Sequence, residues 1–139
     1  MIGIFEQLIS YRAYLTLFLR VVVGVTMVMH GYPKLKNPKQ TVQWTKGLGV
    51  PAVATYLAII LEFFGGIALV IGLIVPVVSF FIALEMIGNT IMKKTRMKAP
   101  YLVGQNAAAY EIDIVYLLLA ITLIVLGAGA FSIDGILGL

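Results

Sequence analysis

Residues 52–76 read AVATYLAIILEFFGGIALVIGLIVP, and Glu62 is the only charged residue among them. A stretch of about 20 apolar residues is long enough to cross the hydrocarbon core of a bilayer as an α-helix. The apolar residues do not alternate with polar ones, so the pattern favours a helix over a strand. Gly72 suits the end of one helix, and Pro76 suits the first turn of the next. The stretch therefore predicts a membrane-spanning helix followed by a tight antiparallel turn.

Three further segments have the same apolar character. They cover about residues 13–31, 76–92 and 107–131, and with the span at 52–75 they predict four membrane-spanning helices. A helix satisfies its own backbone N–H and C=O groups, which lipid cannot do. We expect an all-α fold, an integral membrane four-helix transmembrane bundle that occupies residues 1–139 as a single domain. Residues 1–10 are expected to form either a short helix at the membrane surface or an extension of the first span.

The composition agrees with a lipid environment. Hydrophobic residues make up 61% of the 139 residues and charged residues 12%, against about 45–50% and about 25% in soluble domains. The chain has no cysteine and one histidine. These counts exclude a disulfide relay, an iron–sulfur cluster, bis-histidine haem and a Cys/His zinc site within the chain. If the protein takes part in redox chemistry, its electron carrier has to come from elsewhere.

Positive charge is concentrated in two connections between the predicted spans. Most of the 10 lysine and arginine residues lie at residues 34–46 and 93–98. Lys and Arg accumulate on the cytoplasmic side of membrane proteins, so we expect both basic loops in the cytoplasm and the termini outside the cell membrane. The basic composition thus indicates membrane topology, and no nucleic-acid partner is expected.

Each predicted span also carries at least one charged residue. Such a residue costs roughly 2.5–3.5 kcal/mol on insertion scales, so it usually faces the bundle interior and carries function. Glu62 and Glu85 are expected near the midplane, and Asn89 shares a helix face with Glu85. We therefore predict an intramembrane polar pocket that binds a ligand. Its candidate residues are Arg20, His30, Glu62, Glu85, Asn89 and Glu111.

Two interpretations of these charges stay open. In the first, Arg20 pairs with Glu62 or Glu85 and holds the bundle together. In the second, the site exchanges protons, because one arginine cannot neutralise two carboxylates and at least one of them is then protonated or open to a ligand or water. A proton-exchanging pocket suits a quinone. No Glu-x-x-His spacing of the kind used by di-iron bundles is present, and no metal site is predicted.

Several motifs occur in an order that resembles a known family. Residues 20–24 are RVVVG, residues 30–35 are HGYPKL, residues 47–51 are GLGVP, residues 61–66 are LEFFGG and residues 127–134 are GAGAFSID. Together these motifs resemble the DoxX family of membrane proteins. Ala128 stands where that family usually has proline, and this departure leaves the substrate open more than the fold.

The resemblance implies an association with quinone-linked oxidoreductase systems. It assigns the family's polar signature to Arg20, His30, Glu62, Glu111 and Asp134. We accordingly expect a membrane subunit that binds quinone or anchors a redox partner, and at most the non-metal membrane subunit of a quinone-dependent oxidoreductase. The alternatives are a homo-oligomeric carrier of a small hydrophobic compound and a purely structural or assembly subunit.

Overall fold

The computed structural model describes residues 2–102, 104 and 108–139, and every regular element in them is helical. The elements are α1 (Ile2–Ser10), α2 (Arg12–Lys36), α3 (Pro38–Gly47), α4 (Ala52–Ile71), α5 (Val75–Thr95), α6 (Glu111–Leu126) and α7 (Ile133–Leu137). In this part of the chain, α2, α4 and α5 are long and apolar enough to cross a membrane, and α6 is shorter. The prediction of an all-α, multi-pass membrane bundle is confirmed.

The fourth helix differs from its predicted span. α6 ends at Leu126 instead of continuing to residue 131. The physical reason is that Gly127, with φ of 70°, and Gly129, with φ of 76°, take left-handed backbone conformations that end a helix. The predicted start of this span, Ala107, lies outside the described residues.

The other helices also have their own bounds. α2 and α5 contain the predicted spans 13–31 and 76–92 and extend beyond them to Lys36 and Thr95. α4 ends at Ile71, where Gly72 with φ of 75° forms its C-cap. At the N-terminus, α1 is a helix separate from α2, with a turn at Tyr11 between them.

The bundle has two chemically different ends. The hairpin end consists of the start of α2, residues 72–74 and residues 127–139. The basic end consists of the end of α2, α3, the start of α4, the end of α5 and the start of α6. At the basic end the Arg96 guanidinium faces Gly49 in the α3–α4 connection. The basic residues of both long connections therefore lie at one end of the bundle.

Glycines bring the backbones of α2 and α4 into direct contact. A Cβ atom on Gly24 would lie 2.6 Å from the Gly66 carbonyl oxygen, and a Cβ on Gly66 would lie 2.7 Å from the Gly24 carbonyl oxygen. Further along α2, a Cβ on Gly31 would lie 2.7 Å from the Phe63 amide nitrogen. Small residues allow this close packing, which drives helix association in lipid.

The buried core joins all four long helices. Its most buried apolar side chains are each at most 1% exposed: Val23, Met27, Leu69, Val75, Ile82, Ala120 and Leu123. Large apolar side chains also cover the outside of the bundle, including Phe18, Leu57, Phe80 and Leu118. An apolar exterior around a packed interior is the expected surface for a chain dissolved in lipid.

Candidate functional site

The centre of the candidate site is an ion pair between α2 and α4. The Lys34 ammonium donates to Oε1 of Glu62, whose side chain is only 4% exposed, whereas that of Lys34 is 37% exposed. Glu62 belongs to the π-helical turn Leu61–Gly65, and Gly31 of α2 packs directly against this turn. π-helical turns of this kind occur often at functional sites. The glycine contact and the π turn together hold the Glu62 carboxylate inside the bundle.

A second carboxyl group approaches this pair from α5. Glu85 lies near Glu62, Lys34 and Asn89. Yet both of its oxygens are buried and form no hydrogen bond of normal geometry within the described part of the chain, and the same holds for Oε2 of Glu62. We call Lys34, Glu62, Glu85 and Asn89 the Lys34 cluster. It contains two carboxyl groups and a single ammonium.

Three of the six predicted site residues, Glu62, Glu85 and Asn89, therefore come together in the Lys34 cluster. His30 lies one turn before Lys34 on α2, and its ring meets the edge of Tyr116 on α6 with the centroids 6.1 Å apart. Glu111 begins α6 at the basic end, where its amide nitrogen donates to the Tyr101 carbonyl oxygen at 3.0 Å.

Arg20 lies elsewhere, at the hairpin end. Its Nη1 donates to the Ala128 carbonyl oxygen at 2.8 Å and its Nη2 to the Phe131 carbonyl oxygen at 2.5 Å. About 16 Å of helix separates Arg20 from Gly31, at the rise of an α-helix. The pairing of Arg20 with Glu62 or Glu85, which is one of the two interpretations left open by the sequence, is therefore wrong. The reason is that the backbone carbonyls freed where α6 breaks need donors, and the guanidinium supplies them.

Asp134 completes the hairpin end. Its carboxylate accepts hydrogen bonds from the backbone amides of Ile74 at 2.7 Å and Val75 at 3.0 Å, and its own amide donates to the Gly72 carbonyl oxygen at 2.9 Å. A carboxylate that bonds the first amides of a helix also interacts favourably with the helix dipole. Asp134 thus caps α5, and together with Arg20 it attaches the C-terminal segment to the bundle.

A second ion pair lies between the Lys34 cluster and the basic end of the bundle. The Lys93 ammonium is 2.8 Å from Oδ2 of Asp113 and also donates to the Ala109 carbonyl oxygen at 3.2 Å. The Asp113 side chain is 6% exposed and that of Lys93 is 23% exposed. The pair joins the last turn of α5 to the first turn of α6.

Lys34 is the site residue that the sequence interpretation did not include. Hydropathy ends the first span at about residue 31 and therefore assigns Lys34 to the basic loop at 34–46. Side chains on an α-helix lean towards its N-terminus, so a lysine at the C-terminal end of α2 reaches back into the bundle. The sequence feature that could have identified Lys34 is its helical spacing, since it lies one turn beyond His30 on a helix that continues past Gly31.

The described residues offer no obvious metal site. No group of three or more histidine, aspartate or glutamate side chains in this part of the chain could hold a metal ion. The Lys34 cluster instead combines one cationic donor with carboxyl groups and an amide. This donor set suits an organic ligand with oxygen atoms that accept hydrogen bonds.

The chain is similar to a known family of membrane proteins and to several of its members. The family model DoxX matches residues 15–95. "Putative oxidoreductase CatD" of Bacillus subtilis (strain 168) is 33% identical over 119 residues, which is 86% of this chain and 84% of that protein. "Inner membrane protein YqjF" of Escherichia coli (strain K12) is 30% identical over 122 residues, 85% of this chain and 88% of that protein.

A third relative, an "Uncharacterized protein" of Haemophilus influenzae, is 30% identical over 130 residues, 93% of this chain and 95% of that protein. No solved structure matches the chain at a significant level. The matched region contains α2 from Leu15 onward, together with α4 and α5, and it includes every residue of the Lys34 cluster. The chain belongs to the DoxX family.

Proposed function

We propose that this protein is a membrane subunit of a quinone-linked oxidoreductase system and that the Lys34 cluster binds the quinone head group. One observation carries the proposal: within the described part of the chain, Oε2 of Glu62 and both oxygens of Glu85 are buried and form no hydrogen bond of normal geometry, beside a single ammonium. Buried polar atoms nearly always have hydrogen-bond partners, and ionisable groups within membranes usually mark functional sites. A ligand would supply the missing partners.

The chemistry of a quinone fits these side chains. Its carbonyl oxygens accept hydrogen bonds, and the Lys34 ammonium is a donor at the edge of the cluster with a side chain that is partly accessible. Reduction to a quinol adds electrons and protons in equal number. The protons would pass through the Glu85 carboxyl group, while the Glu62 carboxylate stays paired with Lys34, and the electrons would come from a redox partner protein. Lys34 thus takes the place of Arg20 among the candidate pocket residues.

Two further observations support this role. The name of the Bacillus subtilis relative contains the word oxidoreductase. The basic end also has an exposed surface on α3. There Trp44 is 54% exposed, and Lys39 and Lys46 lie before and after it in the sequence. We propose that this end faces the cytoplasm, following the positive-inside rule, and that a redox partner docks there.

Native purification with quinone analysis tests the proposal. The protein is purified in mild detergent, bound quinone is extracted with organic solvent and quantified, and co-purifying proteins are identified by mass spectrometry. Wild type is expected to retain quinone, and Lys34→Met and Glu62→Gln are expected to lose most of it. Lys39→Met and Glu6→Gln change the same residue types on α3 and α1, outside the cluster, and are expected to retain it.

A structural role is the second candidate, because ion pairs join α2 to α4 and α5 to α6. In that case the cluster variants would lower stability without a separate effect on quinone content. A wild-type protein free of quinone would contradict the quinone proposal. If that protein were also a homo-oligomer, carriage of a small hydrophobic compound would become the favoured function.

A further inference from the structure

A polar stripe runs along α5 from the Lys34 cluster to the basic end. Glu85, Asn89 and Lys93 are spaced four residues apart, so they share one helix face. Each is half-buried. At the rise of an α-helix, four residues cover about 6 Å and the whole stripe covers about 12 Å. The stripe therefore connects the interior of the bundle to the last turn of α5 at the basic end.

The two ends of the stripe have different surroundings. At the basic end, Lys93 is paired with Asp113 and is partly exposed. At the inner end, the two oxygens of Glu85 are buried near Glu62 and Asn89 and form no hydrogen bond of normal geometry among the described residues. The stripe thus begins at the partly exposed ion pair of Lys93 and ends at the buried carboxyl group of Glu85.

If Glu85 were ionised, no nearby positive charge among the described residues would be free to neutralise its carboxylate. Lys34 of α2 is the cation close to it, and that ammonium is already bonded to Glu62 of α4. Further along the stripe, the ammonium of Lys93 is paired with Asp113 of α6. An unpaired charge within a membrane is costly, and a neutral carboxylic acid avoids this cost.

The opposite direction is closed by apolar side chains. Each of the four long helices contributes an apolar side chain to the core between the Lys34 cluster and the hairpin end. These side chains are at most 1% exposed: Met27, Leu69, Ile82 and Leu123. Ser79, on α5 within this core, is fully buried. Access for protons is therefore better along the stripe than through the core.

We propose that Glu85 holds an exchangeable proton and that the α5 stripe through Asn89 makes the basic end the side from which this proton is exchanged. The use of the proton in quinone reduction rests on the proposed function, whereas its presence on Glu85 does not. The inference gives the two carboxyl groups different roles: Glu62 is the carboxylate held by Lys34, and Glu85 is the acid that gives and receives the proton.

Infrared spectroscopy of the protein reconstituted in liposomes, without added quinone, tests this inference. A protonated carboxyl group has its own C=O stretching band, which shifts when the proton is replaced by deuterium. Wild type is expected to show such a band, Glu85→Gln to lack it, and Glu6→Gln to retain it. Glu85→Asp keeps a carboxyl group and is expected to move the band rather than remove it, which covers the case that the Gln variant does not fold.

The route is tested by the rate at which the band shifts after transfer to D2O. Asn89→Leu is expected to slow the shift at least about tenfold, which corresponds to about 1.4 kcal/mol, and Ser79→Ala is expected to leave it unchanged. Absence of the band in wild type, or its persistence in Glu85→Gln, would overturn the proton assignment. Slower exchange in Ser79→Ala, or an unchanged rate in Asn89→Leu, would overturn the route. A normal band in a protein that binds no quinone would refute only the proposed function.

Discussion

Arg20 and Ala128 are 108 positions apart in the chain, and the guanidinium of Arg20 donates to the Ala128 carbonyl oxygen at 2.8 Å. Arg20 also bonds the Phe131 carbonyl oxygen, and its side chain is only 1% exposed. These carbonyls belong to the segment in which α6 has ended, where the backbone no longer satisfies itself. A buried arginine thus allows irregular backbone at the hairpin end of a membrane bundle.

Removal of this guanidinium should destabilise the protein. Arg20→Met leaves two carbonyl oxygens without donors, and we expect the free energy of unfolding to fall by about 3 kcal/mol. The measurement is the unfolding transition in detergent, followed by circular dichroism. Arg12→Met, at an exposed position on the same helix, is the matched control and should unfold like wild type. Equal stability of Arg20→Met and wild type would contradict the described role.

The contact between α2 and α4 predicts a strong difference between two glycines. A methyl group on Gly24 would lie 2.6 Å from the Gly66 carbonyl oxygen, whereas a methyl group on Gly88 would have no atom within 4 Å. Gly24→Ala should therefore lower the free energy of unfolding by about 1–3 kcal/mol through overpacking. Gly88→Ala should be neutral or slightly stabilising, since alanine is the better helix former. Similar unfolding midpoints for the two variants would argue against the close helix crossing.

The ion pair between Lys93 and Asp113 predicts energetic coupling. Lys93→Met leaves the nearly buried Asp113 carboxylate without its cation, and Asp113→Asn removes the matching charge. In a double-mutant cycle the two substitutions should show a coupling of about 1–2 kcal/mol. The double variant is therefore expected to lose less unfolding free energy than the sum of the losses in the two single variants. Additive effects on the unfolding free energy would show that the pair contributes nothing.

The orientation in the membrane is open to a direct experiment, because the chain has no cysteine. Lys39→Cys introduces a thiol on α3 at the basic end, and Ile136→Cys introduces one on α7 at the hairpin end, where Ile136 is 83% exposed. In intact cells, a membrane-impermeant maleimide should label Ile136→Cys and leave Lys39→Cys unlabelled. In inverted vesicles the pattern should be reversed. The opposite result would place the basic end outside.

Much of the fold could be predicted from residue patterns. The apolar runs around residues 52–76 predict helices of spanning length, since lipid leaves the backbone no alternative, and Gly72 and Pro76 indicate the turn between α4 and α5. The early end of α6 was not predicted. Hydropathy does not register a break at Gly127 and Gly129, because both glycines lie in an apolar run and the break depends on donors from Arg20.

The candidate site was predicted only in part. Glu62, Glu85 and Asn89 could be identified because polar residues inside apolar spans are conspicuous. Lys34 could not be separated from the basic loop by composition, since its membership depends on the direction in which a helical side chain leans. The location of Arg20 also needed the structure, because its partners are backbone carbonyls that carry no mark in the sequence.

The most direct test of the quinone proposal separates binding from bundle stability. The charge-balanced variant Lys34→Met/Glu62→Gln removes the ion pair without leaving a single unpaired charge, and buried ion pairs can often be replaced in this way without loss of stability. The measurement is the titration of the purified protein with a short-chain quinone, alongside its unfolding transition. We predict that this variant unfolds nearly as wild type does but binds the quinone at least about tenfold more weakly, a loss of about 1.4 kcal/mol. Wild-type affinity in the folded double variant would contradict the assignment of the Lys34 cluster as the quinone site.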